Sequence, residues 1–463
     1  MNRVKIPSEL KKMNEIFSKN GYEAYLVGGA VRDMLLGKVA SDWDVTTNAR
    51  PEDVMRIFHK VIPTGIAHGT VTVHFMKREI EVTTYRTESD YSDGRHPDSV
   101  SFSSSLEDDL SRRDFTMNAI AASLADGAIV DPFDGRGDIK KKLIRSVGNA
   151  RDRFLEDGLR PIRAIRFSAQ LGFVIEKDTY SAIFEDSVQK NIQSISLERF
   201  RDEFCKLLQS PVPSEGLRRL EETGLLAYFI PELASGRGVS QIDARGFHEF
   251  DVLDHNFYAC DGAPRENLIV RLAALFHDTG KTLTRTVEHE VVDGKKFEIV
   301  HFHGHENKSA ELTREVLFRL KFSNAQADEV SHLVKNHMFF FEQHWTDAAV
   351  RRFIVRVGLD NIDNLFQLRY ADIYGMHRVP VVANSETVRN LNELRDRIDR
   401  VEAEKSALSL KDLAVNGKDL IALGIPAGKQ IGHILNELFQ CVLDDPAMNE
   451  REKLLRVAKS IAG

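Results

Sequence analysis

Short hydrophobic runs with alternating polar positions dominate the first third of the chain. Between Tyr25 and Val147 they read YLVGG, SDWDVTT, TVTVHF, EIEVTTY and SVSF, with glycine, aspartate or proline at the turns between them. Alternation with a period of two is typical of strands with one buried face, and these breakers mark turns. We therefore predict an α/β head over residues 1–148.

The hydrophobic period changes after the head. In IRAIRFSAQLGF and ERFRDEFCKLL apolar residues recur at every third or fourth position, which is typical of amphipathic helices. This pattern predicts an all-α neck over residues 149–235. The segment ELASGRGVSQ, rich in glycine and serine, then separates the neck from two further helical regions, which we predict as domains at 245–378 and 379–463.

The composition is typical of a globular protein with more than one domain. The chain has 463 residues, too many for one hydrophobic core, and its 42% hydrophobic and 29% charged residues are ordinary for globular proteins. The sequence contains no uncharged apolar run long enough to span a bilayer, and its N-terminus lacks the apolar core of a secretory signal. Three distant cysteines without a CxxC pair favour free thiols. We therefore expect a cytoplasmic protein that does not bind membranes.

The charge distribution leaves two interpretations open. A net charge of −7 argues weakly against non-specific binding to nucleic acid. A basic stripe nevertheless runs from Lys140 to Arg166, with nine Lys or Arg against three Asp or Glu. It is either a solvated helix face or a surface for RNA phosphates. On the second interpretation, the candidate RNA contacts are Lys140, Lys141, Lys142 and Arg145.

A glycine turn precedes two acidic residues in the head. The run YLV ends at Gly28 and Gly29, where a helix start with free N–H groups would favour a phosphate, and Arg32 adds positive charge. Alone, such a pair of glycines indicates only a turn. Asp42 and Asp44 alternate along the next strand, so both carboxylates point to one face, where their repulsion favours Mg²⁺. Two such ions beside a triphosphate would activate a 3′ hydroxyl and stabilise the leaving pyrophosphate.

Further polar residues extend this predicted site. EIEVTTY places Glu79 and Glu81 on one face of a neighbouring strand, and we favour Glu81 as the third catalytic carboxylate. The alternative is that both are exposed acids on an edge strand. In RRDFTMNAIA, two arginines suited to phosphates precede an Asp and an Asn whose spacing of four aligns them on a helix, where they could hold a ribose hydroxyl. These four residues are Arg112, Arg113, Asp114 and Asn118.

Together the motifs indicate a family. GGAVRD with DWD, RRDFTMNA, DPFDG and EDGLRPIRAIRF occur in an order and spacing that resemble the class II tRNA nucleotidyltransferases and bacterial poly(A) polymerases. The resemblance covers about residues 21–235 and resumes in the tail at LAVNGKDLIALGIPAG. It implies a head like that of DNA polymerase β, a helical body, and addition of nucleotides from CTP and ATP to RNA 3′ ends without a nucleic-acid template.

The resemblance also implies which residues select the base. The motif containing Glu156, Asp157 and Arg160 corresponds to a protein template that presents hydrogen bonds to the Watson–Crick edge of the incoming base. Glu156 and Arg160 are four apart, and Arg163 follows one turn later, so a continuous helix would align them. A surface salt bridge is the alternative interpretation.

Two local features bear on this selection. Gly158 and Pro161 depart from the usual pattern of the family, and because proline removes a backbone donor, the helix can begin later than the motif suggests. The polar stretch TESDYSDGRHPD is predicted to be a mobile loop. In the family such a segment is needed for the final A, so its presence favours addition of CCA or of A over addition of CC alone.

Histidines concentrate in the third predicted domain. Ten of the sixteen lie between His248 and His344, and HDTGK followed by GHENKSA resembles the HD phosphohydrolase superfamily, in which His and Asp from several helices bind one or two metals. Successive candidates lie about 20 to 35 residues apart, as expected for ligands on separate helices. The predicted ligands are His255, His277, Asp278, His305, His337 and Asp372. We rank His248, His301 and His303 as loop or supporting residues.

The predicted ligand set suggests a second chemistry. Nitrogen with oxygen ligands suits a transition metal such as Mn²⁺, Ni²⁺ or Co²⁺ better than Mg²⁺, and such a metal activates water for attack on a phosphate ester. A cyclic phosphate at a damaged RNA 3′ end is a sensible substrate.

Three function classes remain. The first is an enzyme that adds CCA or A to the tRNA acceptor arm and carries an HD hydrolase domain. The second is a poly(A) polymerase acting on diverse RNAs, and the third is a nucleotide-responsive protein with an inert head. The sequence gives no indication of the oligomeric state.

Overall fold

The computed structural model describes residues 2–40, 42–89, 99–103, 105–241, 249–292, 295–382, 385–404 and 406–462. The chain divides into two compact units, Met1–Pro231 and Glu232–Gly463. Among the described residues, no helix combines the length and the apolar character needed to cross a bilayer.

A mixed sheet forms the centre of the first unit. The strands are β1 (Ala24–Val27), β2 (Asp44–Thr47), β3 (Val61–Gly65), β4 (Thr70–Phe75), β5 (Arg78–Thr84), β6 (Arg86–Ser89), β7 (Ser99–Phe102), β8 (Ala121–Ser123), β9 (Ile129–Val130), β10 (Leu143–Ile144) and β11 (Val174–Ile175). Seven of them form one sheet in the order β3-β4-β5-β2-β1-β8-β9. Its one parallel pair, β2 with β5, sets Asp44 opposite Glu81. The sheet therefore brings two predicted catalytic acids together.

Helices surround this sheet and continue beyond it. They are α1 (Ser8–Lys19), α2 (Gly29–Leu35), α3 (Pro51–Ile57), α4 (Leu106–Ser111), α5 (Gly135–Lys141), α6 (Ala150–Glu156), α7 (Leu159–Leu171), α8 (Lys177–Ala182), α9 (Asp186–Gln193), α10 (Leu197–Leu208), α11 (Pro213–Glu222), α12 (Leu225–Phe229) and, where the two units meet in sequence, α13 (Pro231–Ala234). Helix α7 packs against α10 and α11 and buries Ile162 and Ile165. This burial explains the helical period of IRAIRFSAQL.

The second unit is mostly helical. Its helices are α14 (Val252–Gly262), α15 (Leu268–Phe276), α16 (Lys281–Thr284), α17 (His305–Arg319), α18 (Asn324–Asn336), α19 (Asp347–Val357), α20 (Ile362–His377), α21 (Glu386–Ala403), α22 (Gly417–Ala422), α23 (Lys429–Asp444) and α24 (Arg451–Ala462). Helix α14 packs on α15 and α20, and α17 packs on α18. Leu420, Ile434 and Leu438 centre a separate hydrophobic cluster in the C-terminal helices.

Two expectations of purely helical domains were wrong. Residues 245–378 contain an antiparallel hairpin, β12 (Thr286–Val292) with β13 (Lys295–His301), and the neck contains β11, which pairs in parallel with β10. The hairpin had a sequence signal in the β-branched run of β12 and in the Asp–Gly dipeptide at 293–294, two residues outside the described part of the chain.

Candidate functional site

A cavity of about 840 Å³ in the first unit collects most of the residues predicted for nucleotidyl transfer. The predicted residues in its wall are Gly28, Gly29, Arg32, Asp42, Asp44, Glu81, Arg113, Asp114, Asn118 and Arg163. Six further residues line the cavity although no role in the site was predicted for them: Asp33, Trp43, Arg166, Phe167, Gln170 and Lys206. Glu79, which was not favoured as the third carboxylate, also lines it. The predicted residues absent from its wall are Arg112, Glu156, Asp157 and Arg160.

The acidic wall of the cavity comes from the start of β2 and from β5. Strand β2 begins at Asp44, so Asp42 precedes the strand and is not part of it, although both line the cavity. Burial, then repulsion by Asp42, raises the pKa of Asp44 against the opposing charge of Arg113. Burial, then Asp44 and Asp42, raises the pKa of Glu81. Acids whose pKa is raised by burial and by neighbouring carboxylates fit a divalent cation, which would relieve the repulsion.

Gly28 lies where a side chain would obstruct this wall. Its φ of 72° is in the region that favours glycine, and a Cβ there would lie 3.0 Å from Nη1 of Arg113 and 3.5 Å from Oδ2 of Asp44. The glycine turn therefore lets a guanidinium and a carboxylate approach the backbone that precedes α2.

A buried polar network forms the wall opposite the acids. Arg163 donates to Oδ2 of Asp114 from Nη2 at 2.7 Å and from Nε at 2.9 Å, and Asn118 Nδ2 donates to Oδ1 of Asp114 at 3.0 Å. Arg32 Nη1 donates to Oδ1 of Asn118 at 2.9 Å. The predicted helix across the Asp and Asn was wrong, because Thr116–Asn118 is a short 3₁₀ turn. The two side chains still face each other.

Phe167 was missed by sequence reasoning. Three guanidinium carbons lie around its ring, at 5.1 Å for Arg32, 5.5 Å for Arg163 and 3.7 Å for Arg166. Arg166 also donates from Nε to Oε2 of Glu203 at 2.5 Å. The cation–π contacts align positive charge along the cavity. The RAIRF segment gave the only local hint, since it places two of these arginines next to the ring.

Arg112 is absent from the wall of the cavity in which it was predicted to bind a phosphate. Its Nη2 and Nε donate to Oδ1 of the buried Asp109 at 2.7 and 3.0 Å, and it does not line the cavity. Arg113 also lies near this carboxylate, with its Nη2 3.5 Å from Oδ2 of Asp109. Arg113 alone of the pair reaches the cavity.

The predicted base-reading residues are engaged with other groups. Arg160 Nη1 lies 2.7 Å from Oε2 of Glu156, and Arg199 Nη2 lies 2.8 Å from Oδ2 of Asp157. The predicted continuous helix was wrong, since α6 ends at Glu156 and α7 begins at Leu159. The Glu–Arg pair is also not the surface salt bridge of the alternative interpretation, because the arginine is buried.

The break between these helices falls at Asp157, which is extended with φ of −142°, and Gly158 next to it fits a close approach of another helix. A Cβ at this position would lie 2.5 Å from the carbonyl oxygen of Asn191, so α9 passes too close for any larger residue. Pro161 lies in the first turn of α7, where the missing N–H costs no helical hydrogen bond.

The basic stripe is not one helix face. Lys140 and Lys141 end α5, Lys142 follows in a left-handed conformation with φ of 55°, and Arg145 lies 3.1 Å from Asp138. Several arginines further along are paired with acids, as in the Arg151 to Glu185, Arg153 to Glu156 and Arg163 to Asp114 contacts. The lysines carry most of its exposed charge.

The loop predicted to support addition of A lies mainly at residues 90–98, which are outside the described residues, as is His248.

The second unit brings the six predicted HD ligands into one buried cluster. Asp278 is central: its Oδ2 lies 3.2 Å from Nε2 of His255, and its Oδ1 lies 3.2 and 3.7 Å from Nε2 of His305 and His337. Two overlapping sets meet the geometry of a metal site. They are His255, His277 and Asp372, and His277, Asp278 and His337.

Three of these histidines have the ring orientation expected of candidate metal ligands. Nδ1 of His277, His305 and His337 lies 2.7 to 2.8 Å from the carbonyl oxygen three residues before it, so Nδ1 carries the proton. The Nε2 atoms of these rings then point into the cluster, where Nε2 of His255 and of His277 are 3.0 Å apart. Such an Nδ1 contact is typical of metal-ligating histidine.

Two cations hold the acids of the cluster. Lys281 Nζ lies 2.6 Å from Asp278 Oδ2, and Arg369 Nη1 lies 2.6 Å from Asp372 Oδ2. Although burial opposes ionisation, the cations and histidines around them hold the pKa of both carboxyl groups well below the usual range. Both acids are therefore ionised and suited to a metal. His301 and His303 stack on each other outside the cluster.

Comparison with known proteins places the chain in a family. Three family models match it: the poly(A) polymerase head domain at residues 24–145, the probable RNA and SrmB-binding site of polymerase A at 172–236, and tRNA nucleotidyltransferase domain 2 at 300–458. The CCA-adding enzyme of Lactobacillus johnsonii is 35% identical over 440 residues, which are 95% of this chain and 93% of that protein. The CCA-adding enzyme of Geobacillus kaustophilus is 52% identical over 217 residues, 47% of this chain and 53% of that protein.

Solved structures agree with these relatives. The crystal structure of the Bacillus stearothermophilus CCA-adding enzyme in complex with CTP is 31% identical, covers 98% of this chain and 97% of its own, and gives a TM-score of 0.72. The Thermotoga maritima CCA-adding enzyme complexed with tRNA is 20% identical with a TM-score of 0.55 over 98% of this chain and 94% of its own, which shows a shared fold. The family indicated by the sequence motifs is confirmed: the chain belongs to the CCA-adding enzyme family of tRNA nucleotidyltransferases.

Proposed function

We propose that the head adds CCA, or its terminal A, to tRNA 3′ ends from CTP and ATP by a two-metal mechanism that releases pyrophosphate. The observation that carries the proposal is the cavity in which Asp42, Asp44 and Glu81 face Gly28 and Arg113. Two relatives support the substrates, one bound to CTP and the other to tRNA.

Each wall of the cavity has a role in this reaction. Two Mg²⁺ ions held by Asp42, Asp44 and Glu81 would lower the pKa of the 3′ hydroxyl and neutralise the leaving pyrophosphate. The backbone at Gly28 leaves room for a triphosphate oxygen beside the Arg113 guanidinium. The buried Asp114 network holds the arginines in place before the nucleotide arrives, which reduces the entropy lost on binding.

Base selection requires a change of partners in this proposal. Asp157 supplies an acceptor and Arg160 supplies donors, which suits cytosine and adenine but not guanine or uracil. Both groups are occupied by Arg199 and Glu156 in the structure. The incoming base would therefore exchange hydrogen bonds with these partners, so selection would occur only when the base is seated.

We propose a separate role for each domain of the chain. The head, with a fold of the DNA polymerase β type, covers 1–148, and the neck at 149–235 reads the base. An HD domain covers 245–378, and the tail at 379–463 binds the acceptor arm in the cytoplasm. The proposed RNA contacts in the first unit are Lys140, Lys141, Lys142 and Arg145.

Extension of defined transcripts tests the head. Three tRNA transcripts that end before CCA, after C and after CC would be incubated with CTP, ATP or both and resolved at single nucleotides. Completion of all three supports CCA addition. Addition of A to the CC-ended transcript alone makes the enzyme A-adding, and a long tail on unrelated RNA makes it a poly(A) polymerase. The Asp44→Asn variant should lose incorporation and keep tRNA binding.

A second candidate function rests on the histidine cluster. We propose that it binds one or two transition-metal ions and hydrolyses a 2′,3′-cyclic phosphate or a phosphate monoester at an RNA 3′ end. When bound, the metal would supply activated water. Lys281 and Arg369 would keep Asp278 and Asp372 ionised and oriented toward it. Cleavage of the ester bond to O3′ gives the hydroxyl that the head requires, whereas opening a cyclic phosphate at O2′ leaves a 3′-phosphate that a second hydrolysis would remove.

Metal content and phosphate release test this second function. Protein loaded with Mn²⁺, Ni²⁺ or Co²⁺ should bind the ion and open 2′,3′-cyclic AMP, whereas His277→Gln should do neither. Asp44→Asn serves as the matched control, because it changes the head and leaves the cluster intact. Wild-type protein that neither retains metal nor hydrolyses the substrate contradicts the proposal.

A further inference from the structure

A second cavity in the helical unit borders the histidine cluster. It has a volume of about 540 Å³, and its wall includes Glu306 and Asn307, which directly follow the proposed ligand His305. Asn336 and Met338, on either side of the proposed ligand His337, also line it. Neighbouring Cα atoms are only about 3.8 Å apart, so the backbone of the cavity wall adjoins the backbone of two proposed ligands.

The cavity has an excess of unpaired positive charge. Lys335 is exposed and has no ion-pair partner in the described part of the chain. Arg356 has no acidic partner there either, and its guanidinium lies 5.4 Å from the centre of the Phe353 ring. Glu306 is the one acid in the wall, and its carboxylate accepts from Asn307 Nδ2 at 2.7 Å. Two cations against one acid favour an anionic ligand.

The other wall residues suit a nucleotide. Asn307 and Asn336 contribute amide groups, and Met338 is 58% exposed, so it offers apolar surface to a sugar or a base. His332 is held by the carbonyl of Val357, 2.6 Å from its Nε2, and is not available as a further ligand. A cavity of this size, with two cations and two amide side chains, is large enough for one nucleotide unit.

We infer that this cavity binds the phosphodiester immediately 5′ to the terminal phosphate, so that the histidine cluster acts on RNA strands in preference to free nucleotides. The inference rests on the proposed hydrolase function. A mononucleotide has one phosphate, which the metals would occupy, and leaves Lys335 and Arg356 without a ligand. A strand supplies the next phosphate. In the reaction, water forms a new bond to the terminal phosphorus, the bond to O2′ or O3′ breaks, and the leaving oxygen takes a proton from that water.

Three substrates distinguish the strand from the nucleotide. They are 2′,3′-cyclic AMP, an adenosine dinucleotide with a 2′,3′-cyclic phosphate end, and the same dinucleotide with an uncharged methylphosphonate linkage. The wild-type full chain should show a KM about tenfold lower for the charged dinucleotide than for the other two, the effect of a charge-assisted contact. Lys335→Gln with Arg356→Gln should remove this preference without changing kcat for 2′,3′-cyclic AMP.

The matched control is Arg314→Gln, which removes an exposed cation from α17 that does not line the cavity. It should retain the wild-type preference. Binding of the dinucleotide with a 3′-monophosphate to chelator-treated protein gives a readout independent of catalysis, and the double variant should bind about tenfold more weakly.

The outcomes separate the two proposals. If the wild type hydrolyses all three substrates with equal KM, the inference is overturned and the hydrolase stands. If it hydrolyses none with any metal, the hydrolase proposal fails. The binding measurement then tests whether the cavity binds RNA ends. Weaker binding by the double variant supports such a site, and equal binding of the double variant and the wild type contradicts it.

Discussion

Replacing Asp114 with asparagine tests the buried network behind the nucleotide cavity. Asp114 is only 8% exposed, yet its carboxylate is ionised. Burial opposes this charge, but Arg163 and then Asn118 lower its pKa to about 2. Asparagine keeps the shape, removes the charge and leaves the Arg163 guanidinium with only the more distant Glu203, whose Oε1 lies 3.7 Å from Nη1. The substitution should therefore destabilise the first unit.

The size of the effect follows from the pKa. A shift from 3.8 to about 2 corresponds to about 2 kcal/mol of stability, at about 1.4 kcal/mol for each unit. Removing one partner of a fully buried ion pair costs about 3 to 5 kcal/mol. The Arg163 side chain is 31% exposed, so water compensates for part of the loss. We expect Asp114→Asn to lower the free energy of unfolding by about 2 to 3 kcal/mol.

Tryptophan fluorescence isolates the first unit for this measurement. The chain has two tryptophans, and Trp345→Phe leaves the buried Trp43 as the only reporter. Urea unfolding would then be compared between Asp114→Asn and the control Asp126→Asn, which breaks an exposed pair with Arg3 and should change stability by less than about 0.5 kcal/mol.

The pH dependence has a definite sign. Because the folded pKa of Asp114 is lower than its unfolded value, the stabilisation is present above the unfolded pKa and is lost as the pH falls through about 2. The difference between wild type and Asp114→Asn should therefore be the same at pH 8 and pH 5. A difference below about 0.5 kcal/mol, or one that halves between these pH values, refutes the reasoning.

Other substitutions probe single contacts. Gly158→Ala places a methyl group against the α9 backbone and should lower the midpoint of urea unfolding by an amount equivalent to about 1 to 3 kcal/mol, whereas Gly432→Ala, with open space around it, should not. Burial raises the pKa of Cys260 to about 12, so mass spectrometry should detect no iodoacetamide adduct on it at pH 8 until the protein unfolds. Arg199→Gln should alter the ratio of C to A incorporation, because it releases Asp157; an unchanged ratio with reduced stability would make the arginine purely structural.

Local sequence patterns were sufficient to predict the acidic side of the cavity. Asp44 and Glu81 lie in strands that one parallel pair joins, and Asp42 lies two residues before the first of these strands. The glycine turn is also local, because it precedes the helix that it caps. These features depend on neighbours within a few residues, which a sequence displays directly.

The remaining contacts depend on distant residues. Asp157 and Arg199 are 42 positions apart, and Arg166 and Glu203 are 37 apart. No helical or strand period relates such pairs, so the pairing of the Asp157 carboxylate was not predicted. Arg112 illustrates a different limit, since an ion pair with Asp109, three residues earlier, engages a side chain that was predicted to bind phosphate.

The two proposed metal centres differ in the chemistry of their ligands. In the first unit, burial and neighbouring carboxylates raise the pKa of Glu81 on the wall of an open cavity, which would suit a hydrated Mg²⁺ that enters with the nucleotide and leaves with pyrophosphate. In the second, buried imidazoles are fixed by backbone contacts at Nδ1, so a transition metal would remain bound between reactions. Removal of such a metal should therefore stop hydrolysis and leave Mg²⁺-dependent nucleotide addition intact. That separation is what an enzyme would need if it were to restore a 3′ hydroxyl and then extend it.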